Sequence, residues 1–261
     1  MSPPIALTIA GSDSGGGAGI QADLKTFQHF RVFGTSAITA ITAQNTRGVS
    51  RWIAVPVEMI EEQIEAVASD LRPAAAKTGM LADAAIVSAV AASVRRHSLA
   101  PLVVDPVMVS ASGDALLEGD AVTAIRELLV PLATLVTPNL DEAEVLVGQT
   151  VRDVEAMEQA GRMLVARGAT AVLIKGGHLV GDVAIDVLVH GNRVRTFVHP
   201  RIVTQHTHGT GCTLSAAITA LLALGTELDA AVEQSIEWVH RAIRTAPYIG
   251  AGHGPLNHWS E

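Results

Sequence analysis

Thr207-His208-Gly209-Thr210-Gly211-Cys212 stands directly before an apolar, helix-like stretch, 213–224. Glycines let the backbone come close to an anion. A helix start turns free N–H groups and a partial positive charge towards it. Gly209, Thr210 and Gly211 together are thus an expected anion hole, the device that a phosphoryl group in transfer needs. Without other partners the same segment reads as a glycine-rich helix start capped by threonine. Cys212, the one cysteine of the chain, falls in the first turn. A thiol's pKa is lowered there, so a thiolate could act as base or nucleophile. A lone cysteine also serves as a small buried apolar side chain.

Further groups of this kind follow short apolar runs. Pro138-Asn139-Leu140-Asp141-Glu142 stops one run, with Asn139 placed to cap a helix and Glu142 in its first turn. A carboxylate there suits Mg²⁺ held beside nucleotide phosphates. It equally suits a capping box, in which Glu142 bonds back to the backbone. Lys175-Gly176-Gly177 ends another run; such a lysine can reach phosphate oxygens, or be a solvated turn residue. Asp105 closes the run 102–105 and could help organise the metal. Gln44 offers an amide donor and acceptor side by side, a match for the edge of an aminopyrimidine. The glycine-rich stretch 11–19 is neither a P-loop nor a dinucleotide fingerprint. It could form a wall against a flat ligand or a plain turn. His206 and His208 have a spacing that metals sometimes use, but no cysteine or carboxylate motif adjoins them and zinc is not expected.

The elements that must position these residues alternate along the chain. Segments 6–10, 36–43, 74–78, 102–105, 135–137 and 171–175 read as strands apolar on both faces. Segments 18–30, 57–71, 84–97, 120–129 and 155–167 have helical periodicity, and helices over 213–224 and 228–245 close the chain. This pattern predicts an α/β fold, a three-layer α/β/α sandwich around a mainly parallel sheet. Segments 183–189 and 193–198 alternate in strand fashion around Gly191-Asn192, a tight antiparallel hairpin at the sheet edge. With no linker or repeat visible, residues 1–261 read as one domain. In open α/β sheets ligands bind beyond the carboxyl ends of the strands, where every group named above would lie.

Bulk composition narrows the classes. With 49% hydrophobic residues over 261 positions, the chain can bury a large core without staples. The balance of 18 basic and 26 acidic residues, net −8, with only Lys25, Lys77 and Lys175 as lysines, excludes a broad nucleic-acid or anionic-membrane surface. A single cysteine fits a reducing compartment. The longest strongly apolar stretch, 214–225, is about a dozen residues against the roughly 20 of a membrane span. The first residues show no secretion-signal pattern, so a cytoplasmic protein is expected.

Taken in order, these segments resemble the hydroxymethylpyrimidine and phosphomethylpyrimidine kinase family of the ribokinase superfamily. The resemblance is carried by Ala10-Gly11-Ser12-Asp13-Ser14-Gly15-Gly16-Gly17-Ala18-Gly19-Ile20-Gln21-Ala22-Asp23, Ala43-Gln44-Asn45-Thr46 and Lys77-Thr78-Gly79-Met80-Leu81. Asp105-Pro106-Val107-Met108, Pro138 to Ala143, Lys175-Gly176-Gly177-His178, Thr207 to Ala216 and Gly252-His253-Gly254-Pro255-Leu256-Asn257-His258 extend it over nearly the whole chain.

The resemblance implies an ATP-dependent kinase that phosphorylates 4-amino-5-hydroxymethyl-2-methylpyrimidine and then its monophosphate, in thiamin biosynthesis. Gln44 would read the pyrimidine edge, with Gly11, Ala18, Asp23, Met80 and Val107 around it. Glu142 and Asp105 would position Mg²⁺. Lys175, Asn139, Gly209 and Gly211 would meet the nucleotide phosphates, and Cys212 would stand where sugar-kinase relatives carry an aspartate base. It also implies a homodimer. Where the family often carries a basic residue near position 111, this chain reads Val109-Ser110-Ala111-Ser112-Gly113. The competing readings are a pyridoxal or pyridoxine kinase, a sugar kinase, which expects aspartate at Cys212, and a non-catalytic pyrimidine-binding protein on the same scaffold.

Overall fold

Strands that are apolar on both faces must be covered on both sides. The computed structural model, which describes residues 2–108, 119–177, 179 and 181–260, meets that demand with eight strands in one sheet. The strands of the chain are β1 (Ile5–Ala10), β2 (Phe33–Ile38), β3 (Ala40–Asn45), β4 (Gly48–Ala54), β5 (Ala75–Thr78), β6 (Leu102–Val104), β7 (Leu135–Val136), β8 (Ala171–Ile174), β9 (Val183–His190) and β10 (Arg193–Pro200). The large sheet runs β10-β9-β8-β7-β6-β5-β1-β2. It is parallel from β2 to β8, and β9 and β10 add the expected antiparallel hairpin at the edge.

The helices are α1 (Gly19–His29), α2 (Val57–Asp70), α3 (Ala84–Arg96), α4 (Gly119–Ala124), α5 (Leu140–Val147), α6 (Val154–Ala166), α7 (Thr210–Ala223) and α8 (Leu228–Arg244). Side chains alternate across the strands and divide the core in two. Leu7, Ile9, Val104, Val136, Val172 and Ile174 face a layer that includes Ile60 and Ile64 of α2, Ile86 and Val90 of α3 and Leu164 of α6. Val103, Leu135, Ala171 and Leu173 face Leu214, Ile218 and Leu221 of α7 and Val232, Ile236 and Val239 of α8. Truncating any one of these fully buried leucines to alanine costs about 2–5 kcal/mol. The sandwich expected from the sequence is present.

Three elements differ from expectation. The run 36–43 is not one strand. The chain leaves the large sheet at Thr39, whose N–H donates to the Ala10 carbonyl (3.0 Å) and whose hydroxyl donates to that of Met80 (2.6 Å). Beyond it, β3 pairs antiparallel with β4 in a separate two-stranded sheet standing over the strand ends. The expected helix 120–129 is α-helical only to Ala124 and widens into a π turn at Ile125–Leu129. Pro131 follows, and it has no N–H to close a further α turn. Helix α7 starts at Thr210 rather than 213, so Gly211 lies inside it and Cys212 in its first turn, as expected.

Candidate active site

The loops after β6, β7 and β8 and the first turn of α7 meet at one place. Asp105 leaves β6 buried, and its carboxylate accepts from the Thr137 hydroxyl (3.1 Å), the Ser215 hydroxyl of α7 (3.1 Å) and Lys175 Nζ (3.1 Å). Lys175 Nζ also stands 3.9 Å from Glu142 Oε2. A Cβ built on Gly211 would lie 3.0 Å from that same ammonium, which places the cation against the helix start. Gly209 has φ +80°, and any side chain on it would run into the Gly17 carbonyl, so glycine is required there. Thr210 folds inward on the loop, donating its hydroxyl to the Thr207 carbonyl (2.7 Å).

Glu142 closes the capping box that its position allowed. Asn139 Oδ1 accepts the Glu142 N–H (2.9 Å) and Glu142 Oε2 accepts the Asn139 N–H (2.8 Å), a complete capping box. Burial pushes the Glu142 carboxyl up to about 7; the Lys175 charge opposes the rise and the Asp105 charge adds to it. Asp105 itself is desolvated, yet Lys175, Lys77 and Thr137 hold it below the usual carboxylate range. Burial works against the Lys175 ammonium, and Asp105 and Glu142 outweigh it and raise its pKa. Two buried carboxylates around one lysine are a fit for Mg²⁺, which takes one or two carboxylates and completes its shell with water and phosphate oxygens. Among the described residues no group of three or more His, Cys, Asp or Glu side chains could hold a metal by itself.

Cys212 departs from expectation. The residue is only half-buried overall, but its thiol is enclosed, and burial pushes it up to about 12. The Lys77 ammonium opposes that rise, the carboxylates Asp23 and Asp105 add to it, and a backbone N–H from Gly19 works against it. The helix start lowers the thiol less than desolvation raises it, so the sulfur is a neutral thiol at physiological pH. Asp23 is a second correction. It has no accessible surface with which to line a pocket, because it forms an ion pair with Lys77 at 2.7 Å and accepts from the Thr8 hydroxyl at 2.6 Å.

The residues expected around a substrate ring form a second group. Gly11 packs against Met80, whose sulfur would be 3.0 Å from a Cβ on Gly11. Met80 clusters with Ala40, and Val107 and Trp52 of β4 pack onto them. Gln44 at the end of β3 is tied by its backbone to Ser14, which both donates to it and accepts from it at 2.8 Å. Ala18 caps α1 beside Gly209. Composition and spacing did not single out Asp13. It is buried and accepts from the N–H groups of Gly15 (2.7 Å), Gly17 (2.9 Å) and Ala18 (2.8 Å), and from His208 Nε2 (2.8 Å). Burial disfavours its charge, but His208 and these N–H groups hold the carboxyl below its ordinary value. Arg201, also missed, donates to the carbonyls of Gly177, Leu179 and Gly181 and so pins the loop after Lys175. His178 and residues 109–113 lie outside the described residues. His208 faces Asp13, whereas His206 packs edge-on against Tyr248.

Comparison with known proteins places this geometry. A family model described as phosphomethylpyrimidine kinase matches residues 13–257. The hydroxymethylpyrimidine/phosphomethylpyrimidine kinase of Bacillus subtilis is 49% identical over 98% of this chain and 94% of its own length. Among solved structures, an ADP complex of Bacillus subtilis pyridoxal kinase superposes with a TM-score of 0.93 at 39% identity, covering 99% of this chain and 98% of that one. The phosphomethylpyrimidine kinase of Clostridium difficile 630 superposes with a TM-score of 0.83 at 44% identity, covering 93% and 100%.

Proposed function

This chain belongs to the phosphomethylpyrimidine kinase family, and from that premise we infer how its residues divide the work. The protein transfers the γ-phosphoryl group of ATP to the hydroxymethyl oxygen of 4-amino-5-hydroxymethyl-2-methylpyrimidine, and in a second round to the monophosphate, in thiamin biosynthesis. Residues 1–261 act as one kinase domain. One observation supports the division best: Lys175 Nζ, the Asp105 carboxylate and Gly211 meet at the start of α7.

The pyrimidine ring packs among Gly11, Ala18, Met80 and Val107, with Gln44 at its edge. The hydroxymethyl group points towards Cys212. The γ-phosphoryl oxygens take the N–H groups of Gly209, Gly211 and Cys212 and the Lys175 ammonium, which gives up part of its hold on Asp105 and Glu142. Those carboxylates, with Asn139 beside them, would hold Mg²⁺, which supplies charge neutralisation for the β- and γ-phosphates when bound. The hydroxymethyl oxygen forms the new P–O bond as the bridging bond to ADP breaks, and ADP leaves with the electron pair.

A transition state of this kind is loose, so the nucleophile needs orientation more than a strong base. Cys212 therefore acts as a neutral thiol that orients the hydroxyl. The hydroxyl proton passes late, to an oxygen of the transferred phosphoryl group. Asp23 stays beneath the site, neutralised by Lys77. The same reading carries a cytoplasmic homodimer, which light scattering on the purified protein checks.

A two-substrate assay with MgATP tests the reading by following mono- and diphosphate products from the pyrimidine alcohol and from pyridoxal. Both pyrimidine phosphates are expected. The structural likeness to a pyridoxal kinase makes that alcohol the informative competitor, and a tenfold preference for it would reassign the substrate. Tight ring binding with no ATP turnover on any alcohol would instead point to a non-catalytic binding protein.

A further inference from the structure

His208 sits where the two ends of the site touch. Its ring is buried, a Cβ on Gly17 would lie 2.6 Å from its Cδ2, and its backbone N–H donates to the Gly254 carbonyl at 3.1 Å. Its Nε2 is 2.8 Å from Asp13 Oδ2 and 3.3 Å from the Gln44 amide nitrogen. An ionised carboxylate only accepts hydrogen bonds, so the Nε2 facing it carries the proton. A protonated Nε2 cannot accept from an amide N–H.

Gln44's other neighbour makes the same demand. Thr42 Oγ1 donates its one proton to the Ser12 carbonyl at 2.8 Å and lies 3.4 Å from the Gln44 amide oxygen. It has only lone pairs left to offer Gln44. Both contacts are mismatched with the amide nitrogen towards His208, and both are satisfied by a half-turn that exchanges nitrogen and oxygen without changing shape.

We infer that His208, backed by Asp13 and assisted by Thr42, is a positioning residue that sets the orientation of the Gln44 amide and so the hydrogen-bond pattern read on the substrate ring. This rests on the kinase reading above and names the device behind its ring specificity. The one His208 Nε2–H points mainly to Asp13 Oδ2 at 2.8 Å and is shared with the Gln44 oxygen, which takes the place 3.3 Å away, and one amide N–H goes to Thr42. One N–H and one lone pair remain, side by side. They match a ring nitrogen that accepts next to an exocyclic amino group that donates. Without the His208 proton the two orientations become nearly equivalent, and a ring lacking the amino group is rejected less strongly.

The test compares KM and kcat for the aminopyrimidine alcohol, for the same alcohol lacking the 4-amino group, and for ATP. In His208→Phe, KM for the amino compound should rise about tenfold and discrimination between the two alcohols should fall about tenfold, with KM for ATP changed less than about twofold. His208→Gln, whose terminal N–H reaches the place of Nε2–H, should recover most of both. In a Gln44→Ala background, His208→Phe should add less than about twofold, because the group that it orients is gone.

Thr42→Val keeps the ring and the fold and should raise KM about threefold, which decides the matter if His208→Phe does not fold. Unchanged KM and discrimination in Thr42→Val and in a folded His208→Phe would overturn the role and leave the kinase reading intact. Wild-type protein that failed to phosphorylate the amino compound would remove that reading and this role together.

Discussion

Two lysine–carboxylate pairs flank Cys212, built from the same residue types and put to different use. Lys77 and Asp23 meet at 2.7 Å with side chains wholly out of contact with solvent. Lys175 and Asp105 meet at 3.1 Å, with the lysine side chain 15% exposed and a second carboxylate, Glu142, at 3.9 Å. The sealed pair has no exposed surface, and Asp23 also takes the Thr8 hydroxyl. The open pair holds two acids for one base. In the first case burial raises the Asp23 carboxyl while the ion pair and the Thr8 hydroxyl work against it, and the second leaves a cation that phosphate oxygens can compete for. The difference lies in what the surrounding elements leave uncovered.

Breaking each pair separately should give opposite signatures. Lys77→Met leaves the Asp23 carboxylate buried with the Thr8 hydroxyl as its one remaining hydrogen-bond partner among the described residues. A stranded buried charge costs about 3–5 kcal/mol, read as a fall in Tm of roughly 10 °C for a chain of this length. On the proposed reading Lys175→Met removes a cation facing the transferring group and should lower kcat by about 10²–10³-fold, while stability falls less than in Lys77→Met, because Thr137, Ser215 and Lys77 still serve Asp105 and Glu142 can take up a proton. Thermal melts and saturating-substrate kinetics on both variants measure this. A Lys175 variant that melted as low as the Lys77 variant would abolish the distinction.

Glu142 sharpens the contrast within the open pair. Its folded pKa of about 7 lies above its ordinary 4.5, so the fold prefers the neutral form. Its contribution to stability is therefore fully present below about pH 4.5 and is lost as pH rises through 7. Glu142→Gln keeps the acceptor for the Asn139 N–H and removes the charge. Ligand-free variant should thus match wild type near pH 4 and exceed it by about 2–3 kcal/mol at pH 8. Added MgATP should stabilise wild type strongly and the variant weakly. A variant no more stable than wild type at pH 8 would mean that Lys175 already neutralises Glu142.

What could be read beforehand divides along the same physical line. The capping box of Asn139 and Glu142 and the glycine-rich start of α7 are local, and residue types three or four positions apart suffice to announce them. So is the alternation of apolar runs that dictates the sandwich. The break at Thr39 was invisible because its partners, Ala10 and Met80, are far along the chain and the apolar pattern continues across it. Strand β4 was missed because all of its positions are exposed or only partly buried and carry no periodic apolar signal. Asp13 and His208 are 195 residues apart, and Lys77 and Asp23 are 54 apart; no spacing rule reaches that far. The Cys212 thiol was misjudged because a helix start is a local feature and desolvation is not.

The smallest effect expected is also the most direct check on that thiol. Because burial holds it near 12, the sulfur stays protonated from pH 6 to 9, and the helix start does not change that. At low MgATP, kcat/KM, which reports the free protein, should then rise with pH through about 7, as Glu142 ionises, and stay level to pH 9. Cys212→Ser should follow the same profile with kcat lowered by less than about tenfold, and Cys212→Ala should fall further while retaining KM, since both lose orientation rather than a base. Iodoacetamide should modify the ligand-free wild type slowly at pH 7 and about tenfold faster for each unit of pH above it, the behaviour of a thiol titrating far above neutrality. An extra rise between pH 7 and 9 that vanished in Cys212→Ser would show a thiolate at work. The sealed Lys77–Asp23 pair would then have to be credited with activating the sulfur rather than only with holding the fold beneath it.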